Sequence, residues 1–315
     1  MIRLGVAWSK TSHFPAFSCF FNGFPPDWVK TYSKTTDKLE PIPDARVEYV
    51  WSPDLEAAAE IAKVFDIEVV NSIDEMIGKI DAGLALDRYG RKHLEFARPF
   101  LEAGLPTFVD KPFSDNMQDI YEMISIAEKN GAPIMSCSPL RYAVEWIPLR
   151  KMIKEKGNNI WGGSVTAPGT FLPSEMLYGI HVIESLSSLV GRGVKNVHAC
   201  EYPAQKGKHI VTRLTYHDGK VFILHMSDTH ELHPEWHVTI GGKGWLESAT
   251  ARSYYHFYRR TMLKFIEMVK TGQPPIPIED TLEVMRVCLT AQLSIERGTE
   301  LSIDEAFPLP LSLHR

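Results

Sequence analysis

From Ile2 to Ser136 the chain alternates short apolar runs with stretches of helical periodicity. That alternation restricts the region to βαβ units around a parallel sheet. The spacing predicts strands over Ile2–Trp8, Arg46–Trp51, Glu68–Val70, Gly83–Leu86, Thr107–Val109 and Pro133–Ser136. Helices are predicted between them. Asp54–Phe65 has Asp54 as N-cap, and Ser72–Lys79 follows. Arg91–Ala103 ends at Gly104, and Ser114–Asn130 ends at Gly131. Residues 22–44 interrupt the rhythm with Asn22-Gly-Phe-Pro-Pro-Asp27 and Pro41-Ile-Pro43. A connection of that length is expected to be a lid or a mobile insertion.

The second half changes character. A strand is predicted over Ile160–Thr166 and a helix over Glu175–Val190. Alternating runs follow at Val194–Glu201, His209–Tyr216, Val221–Ser227, Trp236–Ile240 and Trp245–Ser248, and His217-Asp-Gly-Lys220 is a hairpin turn signal. The pattern is that of an antiparallel sheet. Helices over Tyr254–Thr271 and Glu279–Arg297 close the chain, split by Gly272-Gln-Pro-Pro275. The expected class is α/β: a parallel-sheet domain over residues 1–138, then an α+β domain over 139–315 with an open, mainly antiparallel sheet. A chain of 315 residues suits two domains.

Charge narrows the partners. A net charge of −5 and a pI near 6.2 give no reason to expect nucleic acid or an anionic membrane surface. No apolar run approaches the roughly 18 residues of a membrane helix. Met1-Ile-Arg-Leu-Gly-Val-Ala-Trp8 has the pattern of a first strand and not of a signal peptide. The four cysteines, at 19, 137, 200 and 288, are far apart and are expected as reduced thiols in the cytoplasm.

The segment Thr107-Phe-Val-Asp-Lys-Pro-Phe-Ser114 carries the first chemistry. It puts Asp110 and Lys111 between a strand and a helix, at the carboxyl edge of the sheet, where open α/β folds bind ligands. A lysine there can hold a ligand hydroxyl, or pass a proton if partial burial lowers its pKa.

Further pieces share one order along the chain. After the Val-Asp-Lys-Pro turn come Leu140-Arg141-Tyr142 and a helix bearing Tyr178-Gly-Ile-His-Val-Ile-Glu184. An antiparallel sheet follows, and then the tail Phe265…Gly272-x-Pro-Pro…Glu279-Asp280…Ala291…Ser294…Gly298. Together they resemble the Gfo/Idh/MocA oxidoreductases, the relatives of glucose–fructose oxidoreductase and inositol dehydrogenase, over nearly the whole chain. The resemblance implies a Rossmann-like dinucleotide-binding domain and a second domain for substrate and oligomerisation. It makes Lys111 and His181 the catalytic pair, with Asp110 in place of the usual Glu. Arg141, Tyr178 and Glu184 become substrate-binding residues, with Glu184 at the motif's last acid. The motif's first acid is absent, and Leu177 stands there. Lys111, Tyr178 or Glu175 could compensate. His93 matches a family histidine, but Asp87-Arg88 replaces the Thr-Pro that usually precedes it near the cofactor.

The first turn departs most. Dinucleotide folds use Gly-x-Gly-x-x-Gly so that the backbone can approach a pyrophosphate. Here only Gly5 remains, and Trp8 and Lys10 carry side chains where glycines are expected. Ser9, Lys10, Thr11, Ser12 and His13 are phosphate-capable donors before an apolar helix. The Thr-Ser-His run resembles a branch of the family with the same replacement. Either these groups hold an anion, or Ser12 is an ordinary N-cap and no dinucleotide binds. At the end of the second strand Ser52 replaces the acid that grips ribose in NAD enzymes, which leaves NAD and NADP both open.

Other candidates are weaker. His225, His230, His233 and His237 are spaced for a possible metal site, but strand periodicity and an intervening turn argue against one converging face. No metal is expected. The aromatic run Tyr254–Tyr258 suits packing at a helix start, with a sugar-stacking platform as the lesser option. Trp161 and Trp236 suit core or interface. By analogy with relatives, the open sheet face is expected to pair subunits into a homo-dimer or homo-tetramer.

The leading expectation is an NAD(P)-dependent oxidoreductase acting on a sugar, polyol or sugar-derived hydroxyl, with a small molecule as its partner. The alternative is a cofactor-deficient member of the family acting as a small-molecule binding or regulatory protein. A third reading is a lyase or hydrolase that uses tightly held NAD as a transient oxidant. The leading expectation needs Lys111 and His181 to serve one crevice.

Overall fold

A computed structural model describes residues 1–27, 38–157, 159–171, 178–228 and 235–310. It divides into two compact units. One is Met1–Pro139 with Ser253–Pro277, and the other is Leu140–Arg252 with Ile278–Arg315.

The first unit is built on strands β1 (Ile2–Ser9), β2 (Ala45–Trp51), β3 (Glu68–Val69), β4 (Ala82–Asp87), β5 (Thr107–Val109) and β6 (Ile134–Met135). They form one parallel sheet in the order β3-β2-β1-β4-β5-β6. This is the Rossmann order, which reverses direction between β1 and β4. All six carboxyl ends share one edge. The strands read as near-continuous apolar runs because the sheet is covered on both faces; every residue of β4 is buried. Gly83 in β4 is required by packing, since a Cβ there would lie 2.4 Å from the Phe100 ring.

The helices are α1 (His13–Asn22), α2 (Leu55–Phe65), α3 (His93–Glu102) and α4 (Met117–Asn130). Asp54 caps α2, its side chain accepting from the Ala57 amide. Two predicted boundaries shift. Asn116, not Ser114, caps α4, because its extended backbone lets its side chain accept from the Asp119 amide. Residues 72–79 form only a 3-10 turn over Ile73–Met76, ended by extended Ile77 and by Gly78 at φ 83°. The long helix α7 (Tyr254–Thr271) also belongs to this unit, although the sequence groups it with 139–315. The reason is packing: Phe265 meets Phe108 of β5 at 5.9 Å between ring centroids, and Tyr258 meets Phe17 of α1 at 5.7 Å. Residues 28–37 of the predicted loop over 22–44 lie outside the described residues; of its remainder, Ile42 is buried and its amide donates to the Phe20 carbonyl.

The second unit holds β7 (Gly162–Pro168), β8 (Val194–Pro203), β9 (Lys208–Tyr216), β10 (Val221–Ser227), β11 (Trp236–Gly242), β12 (Trp245–Ala251) and β13 (Leu301–Ser302). Their order is β12-β11-β7-β10-β9-β8-β13. The sheet is mainly antiparallel, as expected, but β7 runs parallel to β10. Alternation sets the faces: in β10, Phe222, Leu224 and Met226 are buried, while Val221 and Ile223 are exposed. Helices α6 (Ile180–Val190) and α8 (Ile278–Arg297) bury most of their residues in this unit. The sequence reading missed α5 (Trp146–Glu155), β13 and α9 (Ile303–Ala306). Residues 172–177, which include Glu175 and Leu177, lie outside the described residues.

Candidate functional site

Parallel topology brings the residues that follow β1, β2, β4 and β5 to one edge of the first unit. Ser9 pairs in register with Asp87 at the ends of β1 and β4. Both are buried, and Ser9 helps to hold the Asp87 carboxylate in its charged form. Burial pushes the Asp87 carboxyl above its usual range, against the Tyr89 amide, His93 and Ser9, which pull it down.

The turn after β1 is shaped by side chains where the family pattern has glycines. Trp8 is buried, and its indole N–H donates to the Thr11 carbonyl at 2.7 Å, which closes the turn. Lys10 sits at φ 52°, the left-handed region that glycine normally supplies, at a cost of about 1 kcal/mol. Its ammonium is exposed and makes no hydrogen bond or ion pair among the described residues. The Thr11 hydroxyl accepts from the His13 amide at 3.2 Å. Ser12 is exposed, and its hydroxyl does not cap α1, so the plain N-cap reading of Ser12 does not apply. Its backbone is already αR, which turns the side chain away from the capping geometry.

His13 is not a free donor at this turn. It is buried, and its Nδ1 lies 2.8 and 2.7 Å from the two carboxylate oxygens of Asp110. Its Nε2 lies 3.2 Å from the Tyr258 hydroxyl. Asp110 also accepts from the Lys111 amide at 2.8 Å. Burial works to raise the Asp110 carboxyl, but the His13 charge and hydrogen bond, then Lys111 and His93, outweigh it and hold it below the usual carboxylate range. Sequence reasoning assigned Tyr258 to packing. Nothing in the local pattern signals its contact with a residue 245 positions away.

Lys111 follows β5 and is buried, with 4% of its surface exposed. Burial lowers its pKa; Asp110 opposes the shift and the Arg88 charge adds to it. Arg88 itself is exposed, 5.9 Å from the Tyr89 ring.

Two expected cofactor residues are occupied by structural bonds. His93 is fully buried; Nδ1 donates to the Pro112 carbonyl at 2.8 Å, and Nε2 accepts from the Asp87 amide at 3.2 Å. It therefore pins the β4 end to the turn after β5. Ser52 is buried, and its hydroxyl accepts from the Asp54 amide at 3.0 Å.

In the second unit His181 lies in the first turn of α6 and is 7% exposed. The Tyr178 ring meets it edge-on at 4.5 Å and Trp236 at 5.8 Å. Gly179 has to be glycine, since a Cβ would fall 2.5 Å from the Phe171 ring. Arg141 does not present a free cation. Its Nε donates to the buried Glu184 carboxylate, and its guanidinium lies 3.7 Å from Asp280. The pair ties the segment after β6 to α6 and α8.

Among the described residues no three histidine, cysteine or acidic side chains converge for a metal. His225 stacks on His209 at 5.0 Å with a 2.8 Å N···N contact, and His237 bonds Thr250 at 2.8 Å. His230 and His233 lie outside the described residues. No helix is long and apolar enough to cross a membrane among the described residues.

The donor set fits the phosphates of a dinucleotide. An unpartnered Lys10 ammonium and the Ser12 hydroxyl stand at the N-terminus of a ten-residue helix, beside the point where strand order reverses. It does not supply an acid for the adenosine ribose, since Ser52 is spent on Asp54.

Residues 29–137 match the model of an oxidoreductase family with an NAD-binding Rossmann fold, Gfo/Idh/MocA. No curated protein matches the chain by sequence. The fold is shared with solved structures at low identity. A protein described as a probable dehydrogenase from Thermotoga maritima is 16% identical with a TM-score of 0.79, over 96% of this chain and 99% of that one. Scyllo-inositol dehydrogenase from Lactobacillus casei, with bound NAD(H) and scyllo-inositol, is 14% identical with a TM-score of 0.77, over 96% and 99%. A myo-inositol dehydrogenase from Corynebacterium glutamicum is 13% identical with a TM-score of 0.76, over 96% and 98%. The family match thus lies within the first unit, and along the rest of the chain the likeness to these dehydrogenase structures is one of fold.

Proposed function

We propose that the protein is an NAD(P)-dependent oxidoreductase acting on a CH–OH group of a sugar, polyol or sugar-derived compound. The observation that carries the reading is Lys111: a buried amine with lowered pKa at the carboxyl edge of a family-matched NAD-binding sheet. A bound nicotinamide would supply hydride transfer. Lys10 and Ser12 would hold its phosphates, and Arg88 adds positive charge near Lys111. Lys111 and His181 hold the reacting hydroxyl and steer the departure of its proton. Tyr178 sets the orientation of the His181 ring. The inositol dehydrogenases that share the fold support a polyol-type substrate.

The test is calorimetric titration of NAD+ and NADP+, followed by assay of a polyol and sugar panel. Micromolar binding of one nucleotide with turnover supports the reading. K111M and H181N should each lower kcat, and together by less than the product of their separate effects. Failure of both nucleotides to bind would sink it.

A second reading keeps the fold without the cofactor: a small-molecule binding or regulatory protein. It is favoured by the internal hydrogen bonds of His13 and Ser52. Nucleotide titration separates the two. Lyase or hydrolase chemistry with retained NAD would show instead as turnover without added nucleotide.

Pairing of copies through the second unit's sheet is part of the same proposal. Val221 and Ile223 (each 40% exposed) and Leu246 (69% exposed) leave apolar surface on that sheet. Four free thiols suit a reducing cytoplasmic setting.

A further inference from the structure

The Asp110–His13–Tyr258 chain lies outside the family motif that marks Lys111 and His181. It has the form of a hydroxyl backed by an imidazole that is itself oriented by a carboxylate. An ionised carboxylate only accepts, so Nδ1 of His13 carries the proton bound to Asp110. In neutral His13, Nε2 is then an acceptor, and the Tyr258 phenol donates to it. The three groups come from three places: Asp110 from the end of β5, His13 from the start of α1, and Tyr258 from the second turn of α7.

Burial is graded along the chain. The Asp110 and His13 side chains are 2% and 8% exposed, whereas Tyr258 is only half-buried. Phe17 packs against both His13 (5.1 Å) and Tyr258 (5.7 Å), so the inner links are shielded from water. Of the three, Tyr258 has the most exposed surface and is the member placed to meet a ligand. A carboxylate–imidazole pair buried this way is a poor device for stability alone, since apolar side chains of similar volume would serve as well or better.

We propose that Tyr258 is a catalytic acid–base residue that exchanges a proton with the substrate hydroxyl, with His13 and Asp110 as positioning residues behind it. The proposal rests on the oxidoreductase reading above. In the oxidising direction a bound oxidised nicotinamide would take the hydride from the substrate carbon. The hydroxyl proton passes to the Tyr258 oxygen as the phenol's own proton moves to Nε2 of His13. The resulting imidazolium is balanced by the Asp110 carboxylate. Reduction runs the same transfers backwards. Lys111 is joined to the relay through its amide on Asp110, and its ammonium holds the substrate oxygen.

The test uses the full-length protein with NAD+ and with myo- and scyllo-inositol as probes. Y258F should lower kcat by about 100-fold or more, the usual range for a lost acid–base group, while Kd for NAD+ stays within about twofold. D110N should lower kcat similarly, and the Y258F/D110N double variant should fall little below either single one. A Y258F enzyme that keeps kcat within about threefold overturns the proposal. If the wild type turns over neither polyol, the substrate reading fails on its own, and the relay is judged by proton NMR. A low-field His13 Nδ1–H resonance that is lost in D110N and shifted in Y258F supports it. A resonance unmoved by Y258F overturns it.

Discussion

Nδ1 of His13 lies 2.7 Å from Oδ2 of Asp110, so a residue at the start of α1 is hydrogen-bonded to the residue that precedes Lys111. This contact explains how a turn without its glycines is held at the sheet edge. It also sets a pH dependence. Asp110 titrates below its unfolded value, near 3.9. A carboxyl with a depressed folded pKa stabilises the protein above the unfolded pKa, and that stability is lost as pH falls through the folded value. D110N should cost about 3 kcal/mol at pH 7. Melting of wild type and D110N from pH 7 to 3 should show the gap closing below about pH 4. A gap that stays constant would show that the pair is not linked to protonation.

Lys111 carries the opposite linkage. Its folded pKa is lowered mainly by burial, so protonated Lys111 weakens the fold below that pKa. The penalty is relieved as pH rises towards the unfolded value, near 10.4. K111M should therefore be more stable than wild type at pH 7 in urea unfolding, with an advantage that shrinks by pH 9.5. Turnover should be lost in the same variant.

Gly179 precedes α6 with the Phe171 ring where a Cβ would go. G179A should destabilise by about 1–3 kcal/mol through overpacking. It should also displace the turn that carries His181, so kcat should drop with little change in nucleotide affinity. Thermal melting and kinetics on one preparation check both effects.

Arg141 and Glu184 are spent on one another, with Asp280 nearby. Removing one partner, as in E184A, strands a buried charge and should cost about 3–5 kcal/mol. A double replacement R141M/E184L should recover most of that loss. If R141M instead left stability unchanged and raised only the substrate KM, the guanidinium would be a substrate ligand after all.

Lys10 tests the cofactor cradle. K10A should weaken nucleotide binding about tenfold and flatten its dependence on salt, because one screened phosphate contact is gone. Equal affinity and salt slope in K10A and wild type would mean that the phosphates are held elsewhere.

Much of the architecture was legible. The apolar runs at Ile2–Trp8 and Thr107–Val109 and the Asp54 cap are local signals, and the structure reproduces them. The antiparallel alternation of Val194–Tyr216 and Val221–Ser227 fixed faces as well as strands, because side chains repeat every two residues. The short helix over 146–155 and the parallel β7–β10 pairing were not legible, since neighbours far along the chain decide them.

At the site the division is sharper. The order of chemical groups was written in the chain: Lys111 after β5, His181 at the start of α6, and donors in place of glycines after β1. Which of those donors remain available was not. His13 and His93 have the right chemistry for a ligand, yet each bonds a partner that only folding brings near, and Ser52 bonds the Asp54 amide two residues on. Periodicity records which residue faces a core; hydrogen bonds between residues 97 or 245 positions apart leave no trace in a local pattern. Sequence therefore determined the sheet and the candidate groups, and tertiary packing decided which of them are left free to act.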